Sequence, residues 1–294
     1  MYGDDGKDKD MIVFSGTDKK LGSFRLQDIN FEIPEGYICG LVGRNGAGKT
    51  TLLHLLLGLF QPDAGEVQVD GYEYGSNEKE IRKLLGCVLV DELFDRGLSL
   101  ADNAEYFGSY YEAYDAEIYH KHLEQFHLLP KRKFKELSKG EKLKCQFAFA
   151  LAIRPKYLIL DEPTANFDPE FRDAFWKILK DFIADGAHSV VLATHLTDDL
   201  DRMADRLLFL DKGKIQFDGD MEHFREKYRI LSGETYLINL IGKERILGME
   251  EGKYSTKALV KNNGSRPYPE GLAEAAPSIE EFMYLYSKGG GDKC

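Results

Sequence analysis

The segment GRNGAGKT at 43–50 joins an apolar run, YICGLV, to a helix-favouring run, TLLHLLLGLF. It fits the pattern G-x-x-x-x-G-K-[ST], with Gly43, Gly48, Lys49 and Thr50 at the fixed positions. Glycine tolerates the backbone angles of a tight loop and lets main-chain N–H groups approach an anion. The positive end of the following helix points at the same spot. The segment therefore predicts a phosphate-binding loop between a buried strand and a helix.

Two side chains of this loop, and two further along the chain, predict chemistry on a bound phosphate. Lys49 would add a full charge for the β- and γ-phosphate oxygens, and Thr50 would offer a hydroxyl to Mg²⁺. The segment YLILDE places Asp161 at the end of a buried strand, where ligands bind in an open α/β sheet. We expect Asp161 to hold Mg²⁺ through water and the adjacent Glu162 to orient the attacking water.

The rest of the chain alternates between strand and helix patterns. Segments with helical spacing, notably 170–184 and 198–204, lie between apolar runs that are bounded by turn signals. Apolar runs without polar alternation are typical of strands buried on both faces of a parallel sheet. The alternation predicts an α/β domain. The apolar runs lie at 37–42, 84–90, 157–161, 189–194 and 207–211.

This alternation breaks at two places. Residues 92–150 contain long helical segments with many Tyr and Phe, which indicates a helical insertion. Residues 226–288 combine two candidate strands (TYLINLI and YSTKALV), a loop with Gly and Pro, and a last helix that starts near Pro277, which predicts a small C-terminal α+β appendage. Both ends, 1–10 and 289–294, are expected to be flexible.

Composition narrows the class of protein. A formal net charge of −11 disfavours nonspecific nucleic-acid binding, which depends on clustered Lys and Arg. The charged N-terminal segment MYGDDGKDKD does not read as a signal peptide, and no apolar stretch approaches the ~20 residues that span a bilayer. Four dispersed cysteines form no metal-type pair, and a reducing cytosol is the simplest setting. They are Cys39, Cys87, Cys145 and Cys294.

Four motifs then occur in a familiar order: GRNGAGKTT, LSKGE at 137–141, YLILDEPTANFD, and ATH at 193–195. With these motifs the chain resembles the ATP-binding subunit of an ABC transporter, over about residues 12–225. It is most similar to bacterial subunits that pair with separate membrane permeases, often in export. The resemblance implies an α/β fold with a P-loop NTPase (RecA-like) core sheet, in an ABC ATPase domain at 11–225 whose helical subdomain is the insertion at 92–150.

The resemblance also implies roles for individual residues, with ATP and Mg²⁺ as the bound groups. Ser138 and Gly140 would face the γ-phosphate bound by a second protomer, Asp168 would lie near the seam between protomers, and His195 would contact the γ-phosphate. Glu162 and His195 are thus the expected catalytic residues, and Thr50 and Asp161 the metal-binding pair. The expected nucleotide-binding residues are Gly43, Arg44, Asn45, Gly46, Ala47, Gly48, Lys49, Thr50, Thr51, Ser138, Gly140 and Asp168.

The function implied in this way is an ATP-hydrolysing motor subunit that drives transport by closing as a dimer. Its expected partners are membrane permease subunits and a second ATP-binding subunit, with no nucleic acid and no direct membrane insertion. The expected location is cytoplasmic, on the cytoplasmic face of the plasma membrane. Two alternatives stay open: a soluble ABC ATPase that acts as a nucleotide switch, and a regulatory half of a heterodimeric transporter.

The chain departs from the family pattern where the family contacts adenine and senses Mg²⁺. Leu21 stands where an aromatic residue usually stacks on adenine, with Phe24 nearby. Val90 stands where a Gln or Glu is usual, and a shift of one residue would bring Asp91 to the metal instead. The sequence does not decide which side chain contacts adenine, nor whether Val90 or Asp91 takes the role at the metal. Smaller departures are Glu141 at the end of the signature, and Asn166 and Phe167 in the loop after DEPT.

Overall fold

The structure is a computed structural model, and it describes residues 11–90, 93–164, 166–262, 264 and 267–289. Within these ranges the chain forms three sheets and a set of helices that cover the largest sheet. Two predictions fall outside the described residues: the flexibility expected of 1–10 and of the tail from 290 onward, and the metal contact of Asp91.

Strands and helices alternate along most of the chain. The strands of the described part are β1 (Met11–Leu21), β2 (Phe24–Pro34), β3 (Ile38–Val42), β4 (Ala64–Val69), β5 (Tyr72–Glu73), β6 (Leu85–Val88), β7 (Tyr157–Asp161), β8 (Ser189–Ala193), β9 (Arg206–Asp211), β10 (Lys214–Asp220), β11 (Tyr228–Gly233), β12 (Ile246–Glu251), β13 (Thr256–Lys261) and β14 (Ala273–Ala275). The α-helices of the same residues are α1 (Lys49–Leu56), α2 (Glu78–Leu84), α3 (Leu100–Gly108), α4 (Ala116–Gln125), α5 (Lys139–Ala152), α6 (Pro169–Ile183), α7 (Thr197–Met203), α8 (Met221–Lys227), α9 (Thr235–Asn239) and α10 (Ile279–Lys288).

The central sheet has the strand order β10-β9-β3-β8-β7-β6. From β9 to β6 the neighbouring strands run parallel, and β10 pairs antiparallel with β9 at one edge. Each apolar run identified in the sequence forms one of these parallel strands, so the predicted α/β architecture is confirmed. The helices α3 and α4 fall within the predicted insertion at 92–150, and α5 extends two residues beyond it.

Residues of the central strands alternate between two hydrophobic cores. In β7, Leu158 and Leu160 belong to one core, and Tyr157 and Ile159 belong to the other. The first core packs under α5, α6 and the C-terminal appendage, and the second packs under α1 and the N-terminal strands. Because both faces are covered, the strands carry apolar residues without polar alternation, which is the pattern the sequence displays.

A second, antiparallel sheet has the order β2-β1-β4-β5 and was not predicted from the sequence. Its long hairpin pairs β1 with β2 and places Leu21 opposite Phe24 at the tip. In β2 every second residue from Ile29 to Ile33 is buried, and those between are exposed. This period of two is typical of a sheet with one solvated face. It was present in the sequence segment INFEIP and would have predicted the strand.

The C-terminal appendage contains an antiparallel sheet with the order β12-β13-β11-β14, together with α9 and α10. The prediction of a strand in TYLINLI was wrong, because this segment forms α9. Ile238 and Ile241 are buried in the small core of the appendage, whereas Tyr236 and Leu240 are exposed. Burial at a spacing of three to four residues is the helical pattern, and it outweighs the strand preference of the β-branched residues.

Candidate functional site

The phosphate-binding loop connects β3 to α1 through backbone angles that favour glycine. Gly46 and Gly48 have φ values of 80° and 111°, in the region that side chains rarely adopt. At Gly43 the reason is space, because an added Cβ would lie 2.3 Å from the carbonyl oxygen of Leu210. A Cβ on Gly48 would meet the ring of Phe24. The glycines therefore let the loop close tightly between the central sheet and the N-terminal hairpin.

Lys49 begins α1 with its side chain held along the loop. Its Nζ donates a hydrogen bond of 2.8 Å to the carbonyl oxygen of Gly43, and the residue is only 8% exposed. Burial holds the pKa of Lys49 below its usual value, against the opposing effect of the Glu162 and Asp161 carboxylates. The loop thus presents one buried cation close to two carboxylates.

Thr50 and Asp161 meet at the carboxyl end of the central sheet. The Thr50 hydroxyl donates a 3.0 Å hydrogen bond to Oδ2 of Asp161, which is 4% exposed at the end of β7. Burial raises the pKa of Asp161, and the hydrogen bond from Thr50 opposes that rise. A hydroxyl and a carboxylate are the oxygen donors that Mg²⁺ prefers, and Mg²⁺ usually keeps several waters besides. The pair fits the predicted metal site.

Glu162 and His195 form a second pair, at the ends of the neighbouring strands β7 and β8. The backbone of Glu162 has a φ of 48°, and its amide donates a 2.8 Å hydrogen bond to the carbonyl of Ala193. His195 donates from its backbone N–H to Oε2 of Glu162 at 3.2 Å, and its Nδ1 lies 2.7 Å from the same oxygen. The abrupt turn after Asp161 therefore aims two adjacent carboxylates in different directions.

Lys49, Thr50, Asp161 and Glu162 line a cavity of about 630 Å³. From the predicted set, Asp161, Glu162 and several phosphate-loop residues line it. Gly43, Ala47 and His195 do not line it, and His195 contacts the lining residue Glu162. The phosphate-loop residues that line the cavity are Arg44, Asn45, Gly46, Gly48, Lys49, Thr50 and Thr51.

One wall of the cavity is apolar, and it comes from the tip of the β1–β2 hairpin. Leu21 and Phe24 both line the cavity, and the ring of Phe24 lies against Gly48. The sequence alone did not decide whether Phe24 points toward the site, and the structure places it there. The site therefore carries an aromatic ring beside Leu21.

The residues that follow β6 also line the cavity. Val90 lines the cavity with 65% of its surface exposed, and the amide of Leu89 donates a 3.2 Å hydrogen bond to Oε1 of Gln146 on α5. Asp91, the alternative to Val90, lies outside the described residues. An exposed apolar side chain thus lines this part of the cavity.

The motif LSKGE at 137–141, called the signature here, lies at the start of α5. Ser138 caps this helix: its hydroxyl accepts a 3.2 Å hydrogen bond from the amide of Glu141, whose carboxylate accepts a 2.8 Å bond from the amide of Ser138. The Glu141 carboxylate also pairs with Arg132, and the hydrogen bond from Arg132 holds the pKa of Glu141 below its usual value. The carboxylate of Glu141 therefore adds an ion pair to the cap. Ser138 and Gly140 do not line the cavity of their own chain.

The loop after DEPT packs directly on the signature. A Cβ on Gly140 would lie 2.5 Å from the carbonyl oxygen of Asn166, so only glycine allows this approach. Asp168 caps α6 by accepting a 2.8 Å hydrogen bond from the amide of Phe171, and it pairs with Lys144 of α5 at 3.0 Å. These two contacts, the amide first, lower the pKa of Asp168. Asp168 also does not line the cavity of its own chain.

Phe167, the unusual residue of this loop, points inward. It is 7% exposed and packs on Phe171 and Phe175, with ring centroids 4.5 Å and 5.5 Å away. Its role in the fold is to anchor the loop in the hydrophobic core.

Sequence reasoning did not single out His54, although it lines the cavity. It lies four positions after Thr50 on α1, so the two side chains share one face of the helix. That spacing was the available signal. Among the described residues, no helix has the length and the apolar content needed to cross a bilayer.

The chain is similar to known proteins both in sequence and in structure. The ABC transporter family profile matches residues 26–165. The chain is 34% identical to Nod factor export ATP-binding protein I of Burkholderia lata over 209 residues, which is 69% of this chain and 68% of that protein. It is 37% identical to the mouse phospholipid-transporting ATPase ABCA3 over 233 residues, which is 77% of this chain but only 13% of that much longer protein. Among solved structures, cbiO1 from Clostridium perfringens, described as part of the ABC transporter complex cbiONQ, superposes with a TM-score of 0.61 at 25% identity, over 74% of this chain and 91% of cbiO1.

Proposed function

Because this chain belongs to the ABC transporter family, whose ATP-binding domain is an ATPase, we propose that it hydrolyses ATP in this cavity to drive a membrane transporter. The observation that carries the proposal is the convergence of Lys49, the Thr50–Asp161 pair and Glu162 on one cavity, with His195 in contact with Glu162. Phosphoryl transfer depends on positioning and on charge stabilisation, and these groups supply both.

We assign each group one task. The amides of the phosphate loop and the amino group of Lys49 hold the β- and γ-phosphates. Thr50 and Asp161 hold Mg²⁺, which would neutralise charge on the phosphate oxygens. Glu162 orients the attacking water, and His195, held by Glu162, contacts the γ-phosphate. The remaining loop residues that line the cavity complete the phosphate contacts.

A second copy or a related subunit would complete the site. Ser138 and Gly140 start a helix with its N-terminus free of their own cavity, and such an end favours anions. We propose that this end faces the γ-phosphate of the partner and that Asp168 lies near the seam. ATP bound between the protomers would hold them together, and hydrolysis would release them.

The membrane partner is proposed from the family and from the printed description of cbiO1 as part of a transporter complex. The exposed surface of α3 and α4, together with Val90, would receive a segment of the permease. In this proposal the chain would lie at the cytoplasmic face of a membrane. The transported molecule depends on that partner.

The apolar wall of the cavity leads to a prediction about adenine. Replacing Phe24 with Ala should raise the KM for ATP about ten-fold and leave kcat within about two-fold, since stacking on a base contributes ~1–3 kcal/mol. Steady-state ATPase assays over a range of ATP concentrations measure both constants. Phe24→Trp should retain the wild-type KM.

Two controls separate loss of stacking from damage to the phosphate loop. Inorganic triphosphate has no base, so its affinity should not change in Phe24→Ala. Tyr72→Ala removes an exposed aromatic residue that does not line the cavity, and it should behave as wild type. Equal weakening of ATP and triphosphate binding would contradict the base contact.

The transporter function is tested by the dependence of ATP turnover on a partner. Purification from detergent-solubilised membranes should recover the chain with a multi-span membrane protein, and reconstitution of the two in vesicles should raise the ATPase rate several-fold. The Lys49→Ala chain in the same vesicles provides the background. A rate that rises with RNA or DNA and not with the membrane protein would favour a soluble nucleotide switch.

A further inference from the structure

The helix that follows His195 is too short to be stable without contacts to the rest of the protein. α7 contains seven residues, begins two residues after His195, and has no side-chain hydrogen bond at its N-cap. Isolated helices this short are not stable in water, so packing must fix the position of α7. On its inner side, Leu200 packs against Gly40 of β3, where an added Cβ would lie 3.1 Å from the Leu200 side chain.

The outer side of α7 is covered by the C-terminal appendage. The amide of Ile279, the first residue of α10, donates to both carboxylate oxygens of Asp201, at 3.2 Å and 3.0 Å. The first N–H groups of a helix have no partner within it, and a carboxylate at this end gains from the helix dipole as well. Asp201 of α7 therefore caps α10 across the boundary between the ATPase domain and the appendage.

Apolar packing makes this contact part of one continuous core. Ile279 and Phe282 of α10 are fully buried in the same core as Leu200. The ring of Phe282 lies 5.0 Å from that of Phe209 in β9 and 5.0 Å from that of Phe224 in α8. α10 is thus fixed to the ATPase domain independently of α7, so it can serve as a support.

Other elements hold α7 at neighbouring positions. Arg225 of α8 donates a 2.8 Å hydrogen bond to the carbonyl of Asp201. Arg172 of α6 lies 3.8 Å from the carboxylate of Asp199. The appendage is therefore one of four supports, with β3, α6 and α8, for the helix that follows His195.

We propose that Asp201 is a positioning residue for ATP hydrolysis: by capping α10 it fixes α7 against the appendage, and thereby holds His195 beside Glu162. This inference rests on the proposed function for its kinetic consequence. It assigns a role to the appendage, which supports the catalytic centre through α7 and does not line the cavity.

The test compares three variants in the full chain. Asp201→Ala removes both acceptor oxygens, and Asp201→Asn keeps one. Asp198→Asn is the matched control, because Asp198 is an exposed carboxylate of the same helix. For Asp201→Ala we expect kcat to fall about three- to ten-fold with the KM for ATP and the MgATP dissociation constant within two-fold. The kcat of Asp201→Asn should lie closer to that of wild type, and the kcat of Asp198→Asn should equal that of wild type.

Hydrogen exchange gives a readout that does not depend on turnover. The backbone amides of α7 should exchange several-fold faster in Asp201→Ala than in wild type, and those of α1 should be unchanged. Unchanged exchange in α7 would overturn the proposal whatever the kinetics. A joint loss of ATP binding, kcat and melting temperature in both Asp201 variants would also overturn it, because the role would then be general stability. If wild type hydrolyses no ATP, the proposed function fails, and the exchange result alone decides the inference.

Discussion

Glu162→Gln should lower kcat for ATP hydrolysis about 100- to 1,000-fold while MgATP binds with nearly wild-type affinity. A positioned carboxylate that accepts a proton from the attacking water contributes ~10²–10⁴-fold to a rate. Glutamine fills the same space, and its amide oxygen can still accept a hydrogen bond from the backbone of His195, but it is not a base. Single-turnover assays with labelled ATP measure the hydrolysis step, and equilibrium titration measures binding.

The same variant tests the proposed seam between protomers. With ATP present and hydrolysis blocked, Glu162→Gln should accumulate as a dimer, which light scattering detects as a doubling of the mass. Adding Ser138→Arg should return the protein to a monomer. The larger arginine side chain would fill the space that the partner's γ-phosphate needs beside residue 138. A dimer that persists in the double variant would contradict the seam assigned to Ser138.

A matched control removes one carboxylate elsewhere. Glu222 is exposed on α8, away from the cavity, so Glu222→Gln should leave kcat and association unchanged. If Glu162→Gln instead turns over ATP at the wild-type rate, then Glu162 does not orient the water, and the attack must depend on another group.

Lys49→Ala should weaken MgATP binding at least about 100-fold and reduce turnover below detection at millimolar ATP. Removing one partner of a buried, hydrogen-bonded charge pair costs ~2–5 kcal/mol, and ~3 kcal/mol corresponds to about 100-fold in affinity. The side chain is almost fully buried, so water does not readily replace the lost cation. Isothermal titration with a slowly hydrolysed ATP analogue measures the change.

Two comparisons make this result specific to position. Lys177→Ala removes an exposed lysine of α6 and should have no effect. Lys49→Arg keeps the charge but replaces a compact ammonium with a planar fork, so it should recover only part of the affinity. Wild-type turnover in Lys49→Ala would refute the phosphate-loop assignment.

The central fold could be predicted because its strands are buried on both faces. The run VVLA at 190–193 has no polar position, and this local pattern indicates a strand inside a parallel sheet. The α9 segment misled the prediction, since TYLINLI is rich in strand-forming residues and its helical burial becomes visible only against the core of the appendage. Tertiary packing decided that segment, and no local propensity could report it.

Some residues of the candidate site could be predicted from the sequence, and others could not. The spacing around Lys49 and the strand before Asp161 fixed the elements that carry these residues, so their meeting at one cavity could be foreseen. The orientation of Phe24 could not, because it depends on the pairing register of a hairpin that the sequence analysis did not predict. The contact between Asp201 and Ile279 joins residues 78 positions apart, and nothing in either segment signals it.

The alternation of β7 between two cores has a consequence for how this chain can change. Asp161 still belongs to the strand, whereas Glu162 has already turned away from it, so neighbouring carboxylates receive unlike surroundings. A deletion of one residue within 157–161 would exchange the two faces of the strand and rotate both acids out of place at once. Exchange of one apolar side chain for another within this segment therefore leaves both acids in place, whereas any change in its length does not.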